Sequence, residues 1–451
     1  MSSTGSTQRL PAWNLIAHSL VMIPITGAMA AMATYLPPIY AQSLGISLYV
    51  LGGIFLFERI WGTLTDPLVG WLCDRTTSRF GRRKVWIGAG SLLFGLSYAF
   101  LFFPMGWITP VTMAAALIVL FLAWSMIVVP FYAWSGELSS DYHERTRVTT
   151  YQTVVGSAMS FAVLLVPTLS DWLWPGEELL KLNLMGAAIV LPMIPGTVLA
   201  LRAFPDATSP PPRVARPRIG WRQAAKAVLG ETVLWKVMLA DFAILFAQSI
   251  RAGLMVFYVG FVIGMPRWAS FVFLFQFTFG LIAPPIWQAV AHRLGKHRAT
   301  VLAELIQAGI NFALVLAGPG NIALVLFLAM LQGLTQGSGN LLLRAMLADV
   351  ADEHRLRTGV DRTAMLFSVF SVSGKAGSAI PLGLALPLIA WFGFDPKLAV
   401  NPPAGLWALA LTFSIGNGVC HLIAALLVRG FTLDETRQRE IRAELDRQLP
   451  A

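Results

Sequence analysis

Twelve stretches of about 20 apolar residues recur along this chain, each long enough for a helix to cross the hydrocarbon layer. They lie near residues 12–36, 48–72, 85–105, 109–134, 148–168 and 184–204. After a polar gap they return near 233–263, 266–290, 300–317, 320–348, 363–393 and 404–429. Only 12% of the 451 residues are charged and 56% are hydrophobic, whereas a soluble domain carries roughly 25% charged residues. So few charges cannot clothe a water-facing surface, and the solvent is lipid. The expected fold class is an all-α membrane protein with twelve transmembrane helices in two pseudo-symmetric six-helix bundles. Its expected divisions are an N-terminal bundle at 1–204, a cytoplasmic linker at 205–232, a C-terminal bundle at 233–430 and a cytoplasmic tail at 431–451.

Net charge is +10, but the basic residues sit in short loops between apolar segments, and no DNA- or RNA-binding module is visible. Nucleic acid is therefore not an expected partner. Arg75, Arg79, Arg82, Arg83 and Lys84 follow span 2, and Arg213, Arg216, Arg218, Arg222 and Lys226 fill the linker. Arg293, Lys296 and Arg298 follow span 8, while the opposite side holds Lys181, Arg267 and Lys397. This asymmetry puts both termini in the cytoplasm of a plasma (inner) membrane protein. The tail "TLDETRQREIRAELDRQ" opens with a capping box from Thr432 to Glu435 and reads as a solvated helix. "MSSTGSTQRLPAW" shows no cleavage signature, so no removable signal peptide is expected. Cys73 and Cys420 lie in or at apolar helices, where neither a disulfide framework nor a zinc site is expected.

The two sets of six share landmarks. "DPLVGWLCDRTTSRFGRRK" ends span 2 and "PPIWQAVAHRLGKHR" ends span 8; Pro67 and Pro284 are 217 apart, Gly81 and Gly295 214 apart. "ELSSDYHERTR" follows span 4, and "DVADEHRLRTGVDR" follows span 10. Halves repeated in this way are the construction of alternating-access transporters, which hold solute near the midplane.

The run "RIWGTLTDPLVGWLCDRTTSRFGRRKVW" resembles the helix-2 and loop signature of the glycoside–pentoside–hexuronide:cation symporters, the melibiose permease-like family of the major facilitator superfamily. "VPFYAWSGELSSDYHERT", "MLADVADEHRLRTGVDR" and "VSGKAGSA" extend the resemblance through most of the chain. It implies the major facilitator fold and secondary transport. It places the family's helix-2 Arg on Arg59, one cation-binding Asp on Asp66, the helix-11 Lys on Lys375 and a site-lining aromatic on Tyr132. Elsewhere the chain departs from the pattern. The other helix-2 Asp is Gly62, and the helix-1 and helix-4 Asp positions hold Thr26 and Val128. The helix-5 Arg is Thr153. These changes remove two carboxylates of the sodium set, and the carboxylate and guanidinium that would hold sugar hydroxyls.

Ionisable residues inside a span usually face a cavity or each other. Glu58, Arg59 and Asp66 lie in span 2, Arg251 in span 7 and Lys375 in span 11. Arg59 and Asp66 are seven apart, on one helix face, and Lys375 is expected to meet Asp66 across a central chamber. The alternative is a neutral network that only joins the halves. An Asp beside a cavity can load a proton or cation in one conformation and release it in the other. With Gly62 beside it, Asp66 is a poor sodium cage, since hard cations want several oxygens. Proton coupling, or uniport, is the expectation, with no cofactor and no metal site. Arg59, Arg251 and Lys375 against Glu58 and Asp66 leave one positive charge in excess, which suits an anionic or amphiphilic solute as well as a sugar-like one. In "LQGLTQGSGNLLLR", Gln336 and Asn340 are one turn apart and are candidates to bond the solute; helix packing is the other reading. His18, His421 and Glu304 read as packed or interfacial residues rather than ligands.

The cytoplasmic loops carry a candidate gate. Asp74, Arg82, Arg83, Glu137, Asp141 and Arg145 of one half can pair with Asp349, Asp352, Arg357 and Arg362 of the other, in exposed pairs weak enough to break each cycle. A lipid-modifying enzyme is the rival class. It needs a His/Asp or metal-ligand cluster, and the six His show neither HxxxD nor HExxH spacing. A sensory or assembly protein on the same scaffold is the third reading, and Asp66 and Lys375 argue against it. The expected partners are a small-molecule solute and the bilayer, around a monomer that is not an enzyme.

Overall fold

A computed structural model describes residues 9–139, 141–206, 230, 232–359, 362–431, 433 and 435–448. Nearly all of the expected linker lies outside these residues, as does Thr432 with its expected capping box. All regular structure among the described residues is helical. The chain divides into two compact units, Met1–Arg213 and Val214–Ala451.

The first unit opens with α1 (Ala12–Ser19) and α2 (Ala28–Gln42), joined through a π-helical turn, Ile23–Gly27. It continues with α3 (Leu48–Cys73), α4 (Lys84–Phe102), α5 (Pro110–Glu137), α6 (Tyr142–Leu173) and α7 (Glu178–Ala203). Starts are written locally. The Ser47 side chain caps α3. Thr109 and Thr112 form a reciprocal capping box at α5, with Pro110 in the first turn where its missing N–H costs nothing. α5 packs on α4 and α3, and α4 on α7. Lys181 on α7 bridges Asp171 of α6 at 2.5 Å and Glu178 at 2.8 Å.

The second unit contains α8 (Thr232–Phe257), α9 (Ala269–Gly280), α10 (Ala283–Leu294), α11 (Lys296–Ala313), α12 (Ile322–Thr335) and α13 (Ser338–Thr358). α14 (Thr363–Trp391), α15 (Pro403–Leu411), α16 (Asn417–Arg429) and α17 (Glu435–Gln448) complete it. Here α8 packs on α14 and α16, α11 on α16, and α9 on α12. Gly81 (φ 103°) and Gly295 (φ 82°), the matched landmarks of the two sequence halves, both take the positive φ that glycine alone adopts cheaply. Each lies shortly before the helix that leaves the loop.

Among the described residues nine helices are long and apolar enough to cross a membrane, or ten if the pair Pro266–Gly280 and Ala283–Leu294, bent by 44°, is one span. Two of the twelve expected spans are not among them. One is α3, whose 26 residues include Glu58, Arg59 and Asp66. The other was expected as one helix over 320–348, and the structure breaks it: Gln336 is extended (ψ 141°) and Gly337 is left-handed (φ 81°) between α12 and α13. Gln336 and Asn340 are thus not one turn apart on one helix. Asn340 is the third residue of α13, and its side chain lies outside the described set.

The tail helix differs from expectation in its surroundings. Ile441 and Leu445, four apart on one face, are buried against Leu347, Val350 and Leu433. An apolar stripe on an otherwise charged helix docks where apolar surface is available, and α13 supplies it. Close helix approach sets the core elsewhere. A Cβ on Gly333 would collide with the backbone carbonyl of Gln276 and come within 2.8 Å of Phe279 Cβ, whereas one on Gly309 meets nothing within 4 Å. Gly333→Ala is expected to cost about 1–3 kcal/mol through overpacking. Gly309→Ala is expected to be neutral or slightly stabilising. Thermal unfolding of the two variants in detergent checks this; equal midpoints would refute the close α9–α12 contact.

Candidate functional site

In the first unit the candidate residues gather on the α3–α5 contact. Asp66 is partly buried, and the Ser125 hydroxyl of α5 donates to its Oδ1 at 2.5 Å. Thr65 Oγ1 lies 3.0 Å from the same hydroxyl and donates to the Gly62 carbonyl at 3.1 Å. Trp61 donates its indole N–H to the Ile118 carbonyl at 3.1 Å, which fixes the rotation of α3 against α5. Glu58 is fully buried. The Arg59 side chain lies outside the described set. Tyr132 is half exposed, its ring centroid 5.6 Å from that of Phe131. Ser125 is the partner that sequence reading missed: a lone Ser in an apolar helix carries no signal until α3 lies beside it.

The loop end of this unit is a charge cluster. Glu137 accepts from Arg82 at 2.9 Å and from Arg83 at 2.5 Å, and both arginines are buried. Asp74 is 4.0 Å from Arg82. Asp206 accepts the backbone N–H groups of Arg83 (2.7 Å) and Lys84 (3.1 Å), a carboxylate at the α4 N-terminus. Asp141 caps α6 by accepting from Glu144 N at 2.9 Å, and Arg145 donates to the Ser139 carbonyl at 2.7 Å. In the second unit Lys296 grips both oxygens of Asp349, at 2.9 and 2.7 Å. Burial first, and the Arg362 guanidinium second, hold the His354 imidazole below its ordinary range. Seven of the candidate gate residues (Asp74, Arg82, Arg83, Glu137, Asp141, Arg145 and Asp349) thus have partners inside their own unit.

Deeper in the second unit lies an amide cluster. Arg251 on α8 is buried; its Nε donates to Gln276 Oε1 at 3.0 Å and its Nη1 to Asn311 Oδ1 at 3.3 Å. Gln276 Nε2 donates onward to Gln336 Oε1 at 2.8 Å. Asn311 donates to the Gln307 carbonyl at 2.8 Å, and Gln307 Nε2 to Thr335 Oγ1 at 2.6 Å. The Phe413 ring lies 5.2 Å from the guanidinium carbon. A cavity of about 60 Å³ opens here, lined by Gln248, Arg251, Gln276, Gln307, Gln332 and Gln336 among others. Sequence counting set Arg251 against Glu58 and Asp66; the described structure holds it with neutral amides from α9 and α11. Gln276 and Asn311, polar residues in apolar stretches, were the available signal. Gln336 joins the cluster because the α12–α13 break frees it from the helix ladder.

Lys375 lines a second cavity of about 400 Å³ with Asp241, Arg344, Ser371, Gly374 and Ser378. A third pair is buried: His421 Nδ1 and Glu304 Oε2 are 2.7 Å apart, joining α16 to α11. Among the described residues no three His, Cys, Asp or Glu side chains converge as metal ligands.

Buried guanidinium, amide and carboxylate groups beside cavities, carried on helices long and apolar enough to cross a membrane, are what a solute pathway requires. The chain belongs to the MFS/sugar transport protein family, whose model matches residues 17–435. It is 25% identical over 418 residues to the protein named "Putative glycoside/cation symporter YagG" of Escherichia coli (strain K12), covering 90% of this chain and 88% of that one. It is 24% identical to the inner membrane symporter YicJ of the same organism, covering 88% and 86%. A sodium-dependent lysophosphatidylcholine symporter of Danio rerio is 21% identical, covering 85% and 79%. The fold matches the crystal structure of the nucleoside transporter NupG with a TM-score of 0.64 at 11% identity, covering 94% of this chain and all of that one. It also matches a bacterial homolog of the human lysosomal transporter Spinster, inward-facing and unoccupied, with a TM-score of 0.66 at 12% identity, covering 96% and 98%. The protein is an integral membrane secondary active transporter of a small solute, and not an enzyme.

Gln276 is the joint of the amide cluster. Gln276→Leu keeps the volume but leaves Arg251 Nε and Gln336 Oε1 without their partner. Its expected cost is about 1–3 kcal/mol, read as a lowered unfolding midpoint in detergent. A wild-type midpoint would show that these bonds are not holding α8, α9 and α12 together.

Proposed function

We propose that the protein is a proton-coupled transporter of a polyhydroxylated, glycoside-like solute, working by alternating access as a monomer in the plasma (inner) membrane. Both termini lie in the cytoplasm in this reading, which the basic loops support. The observation that carries the coupling is Asp66: a span carboxylate met by the Ser125 hydroxyl, with Gly62 one turn before it and the other α3 carboxylate, Glu58, about two turns away. One carboxylate with hydroxyl neighbours can hold a proton. A sodium cage needs more oxygens. The printed names of the relatives, glycoside/cation symporter first among them, support a cation-driven cycle and a sugar-like solute.

Recognition falls to side chains that bond hydroxyls without demanding a charge. Gln336, Gln276 and Gln332 offer both donors and acceptors. Lys375, Tyr132, Arg59, Glu58 and Asn340 complete the proposed solute and coupling set. The charged loop residues Asp74, Arg82, Arg83, Asp141, Arg145, Asp349 and Arg362 form the cytoplasmic gate of this proposal, with pairs that break and reform during the cycle. Arg251 favours a second reading, an anionic or amphiphilic solute. Its described contacts are neutral amides and an aromatic ring, and a buried cation gains from an incoming anion.

A thermal-shift screen of the purified protein separates these readings. Sugars, glycosides, organic acids and lysolipids are tested at two pH values, with and without sodium. A glycoside that stabilises the protein without sodium is the expected result; stabilisation that requires sodium overturns proton coupling. With that glycoside in proteoliposomes, Asp66→Asn is expected to abolish accumulation driven by a proton gradient while exchange across the membrane persists. Wild-type accumulation by this variant would remove Asp66 from the coupling mechanism.

A further inference from the structure

Asp241 has no part in the function proposed above, and the sequence reading did not single it out. It lies nine residues into α8, ~14 Å along the helix from Thr232 at 1.5 Å per residue. Lys375, on the same cavity, lies ~18 Å into α14 by the same rise. Asp241 is 4% exposed, yet it lines the 400 Å³ cavity. Among the described residues no hydrogen-bond donor reaches its carboxylate, and no cation comes within ion-pair distance of it. An ionised carboxylate withdrawn from water is costly unless donors or a cation meet it, and the neutral acid avoids most of that cost.

The groove around the carboxylate is made by glycine. A Cβ on Gly374 would come within 3.0 Å of Asp241 Oδ2. Gly377, three residues on, is where α14 lies against the α8 backbone: a Cβ there would be 2.8 Å from the Phe242 carbonyl. Small residues therefore let α14 close over Asp241 while leaving its oxygen a path to the cavity.

Two charged groups face Asp241 across this cavity, Arg344 from α13 and Lys375 from α14. Other ionisable groups on the elements packed against α8 do not line this cavity: Asp352, Glu353, His354, Arg355 and Arg357 lie in the last two turns of α13, and Cys420 and Arg429 lie on α16. His421 on α16 is with Glu304, and Asp349 on α13 is with Lys296. α9 carries none. On α8 itself, Lys236 donates to the Gly430 carbonyl, and Arg251 belongs to the amide cluster.

We propose that Asp241 is a proton-binding site of the C-terminal unit, separate from Asp66, which exchanges its proton with water in the Lys375 cavity. A proton delivered from that water binds a carboxylate oxygen and removes the one negative charge that lines the cavity among the described residues. Arg344 and Lys375 then make the cavity more strongly positive. Proton loading at this position therefore tunes the cavity toward an anionic group on the solute.

The test needs no identified solute and does not depend on Asp66. Infrared difference spectra of the purified full-length protein are recorded between mildly alkaline and mildly acid buffer. The carboxylic acid C=O band is expected to grow on acidification and to lose one carboxyl's amplitude in Asp241→Asn. Asp66→Asn removes only the contribution of Asp66 itself, so Asp241→Asn is expected to lose the same amplitude in that background, and Asp241→Glu to regain a shifted band. Gly374→Ala, which crowds the carboxylate, is expected to move the titration midpoint without abolishing the band. A band unchanged in folded Asp241→Asn overturns the proposal. If that variant does not fold, wild-type titration in both Asp241→Glu and Gly374→Ala overturns it.

Discussion

A polar group carried into the hydrocarbon layer is costly unless the protein or a water-filled cavity meets it, because lipid offers no hydrogen bonds. The second unit answers this constraint with amides. Arg251 is held by Gln276 and Asn311, Gln276 by Gln336, and Asn311 and Thr335 by Gln307. The break between α12 and α13 belongs to the same solution. Gln336 leaves the helical ladder, Gly337 takes the left-handed turn, and the freed side chain closes on Gln276. In the first unit the equivalent economy is smaller, with a single hydroxyl, Ser125, serving both Thr65 and Asp66.

The same constraint relaxes at the membrane surface, where charges pair with charges. Arg82 and Arg83 share Glu137, Asp206 caps α4, and Lys296 holds Asp349. The two loops follow the same backbone device, a positive-φ glycine shortly before the outgoing helix, yet satisfy it with different partners. Arg82 and Arg83 are buried while Glu137 is half exposed, so this cluster is stronger than a surface pair and still open to water. A transporter has use for such ends, which are rigid within a unit and able to exchange partners at its rim.

Much of the arrangement was legible in the residues. The spans show as runs of apolar residues, the glycine landmarks as conserved spacing between the halves, and Asp66 as a charge with no reason to be in lipid. The α12–α13 break was less visible, although "GLTQGSGN" holds three glycines within eight residues. Ser125 and Asp241 were not read as site residues at all. Ser125 matters only because α5 lies against α3. Asp241 matters only because Gly374 and Gly377 bring α14 over it. The tail looked like a solvated helix because its charges outnumber Ile441 and Leu445, and those two residues find their apolar partners only in the folded unit.

By itself, the sequence determined that the chain lives in a membrane, that it is helical, and to which transport family it belongs. These follow from hydropathy summed along a window and from motifs read in order, both of which are properties of a line. Tertiary structure alone decided which side chain meets which: Ser125 with Asp66, Gln276 with Arg251, Asp241 with the Lys375 cavity. Such pairs depend on the rotation and approach of neighbouring helices. Contacts as local as Gly333 against the Gln276 carbonyl set that approach, and no periodicity along one helix encodes its angle to the next.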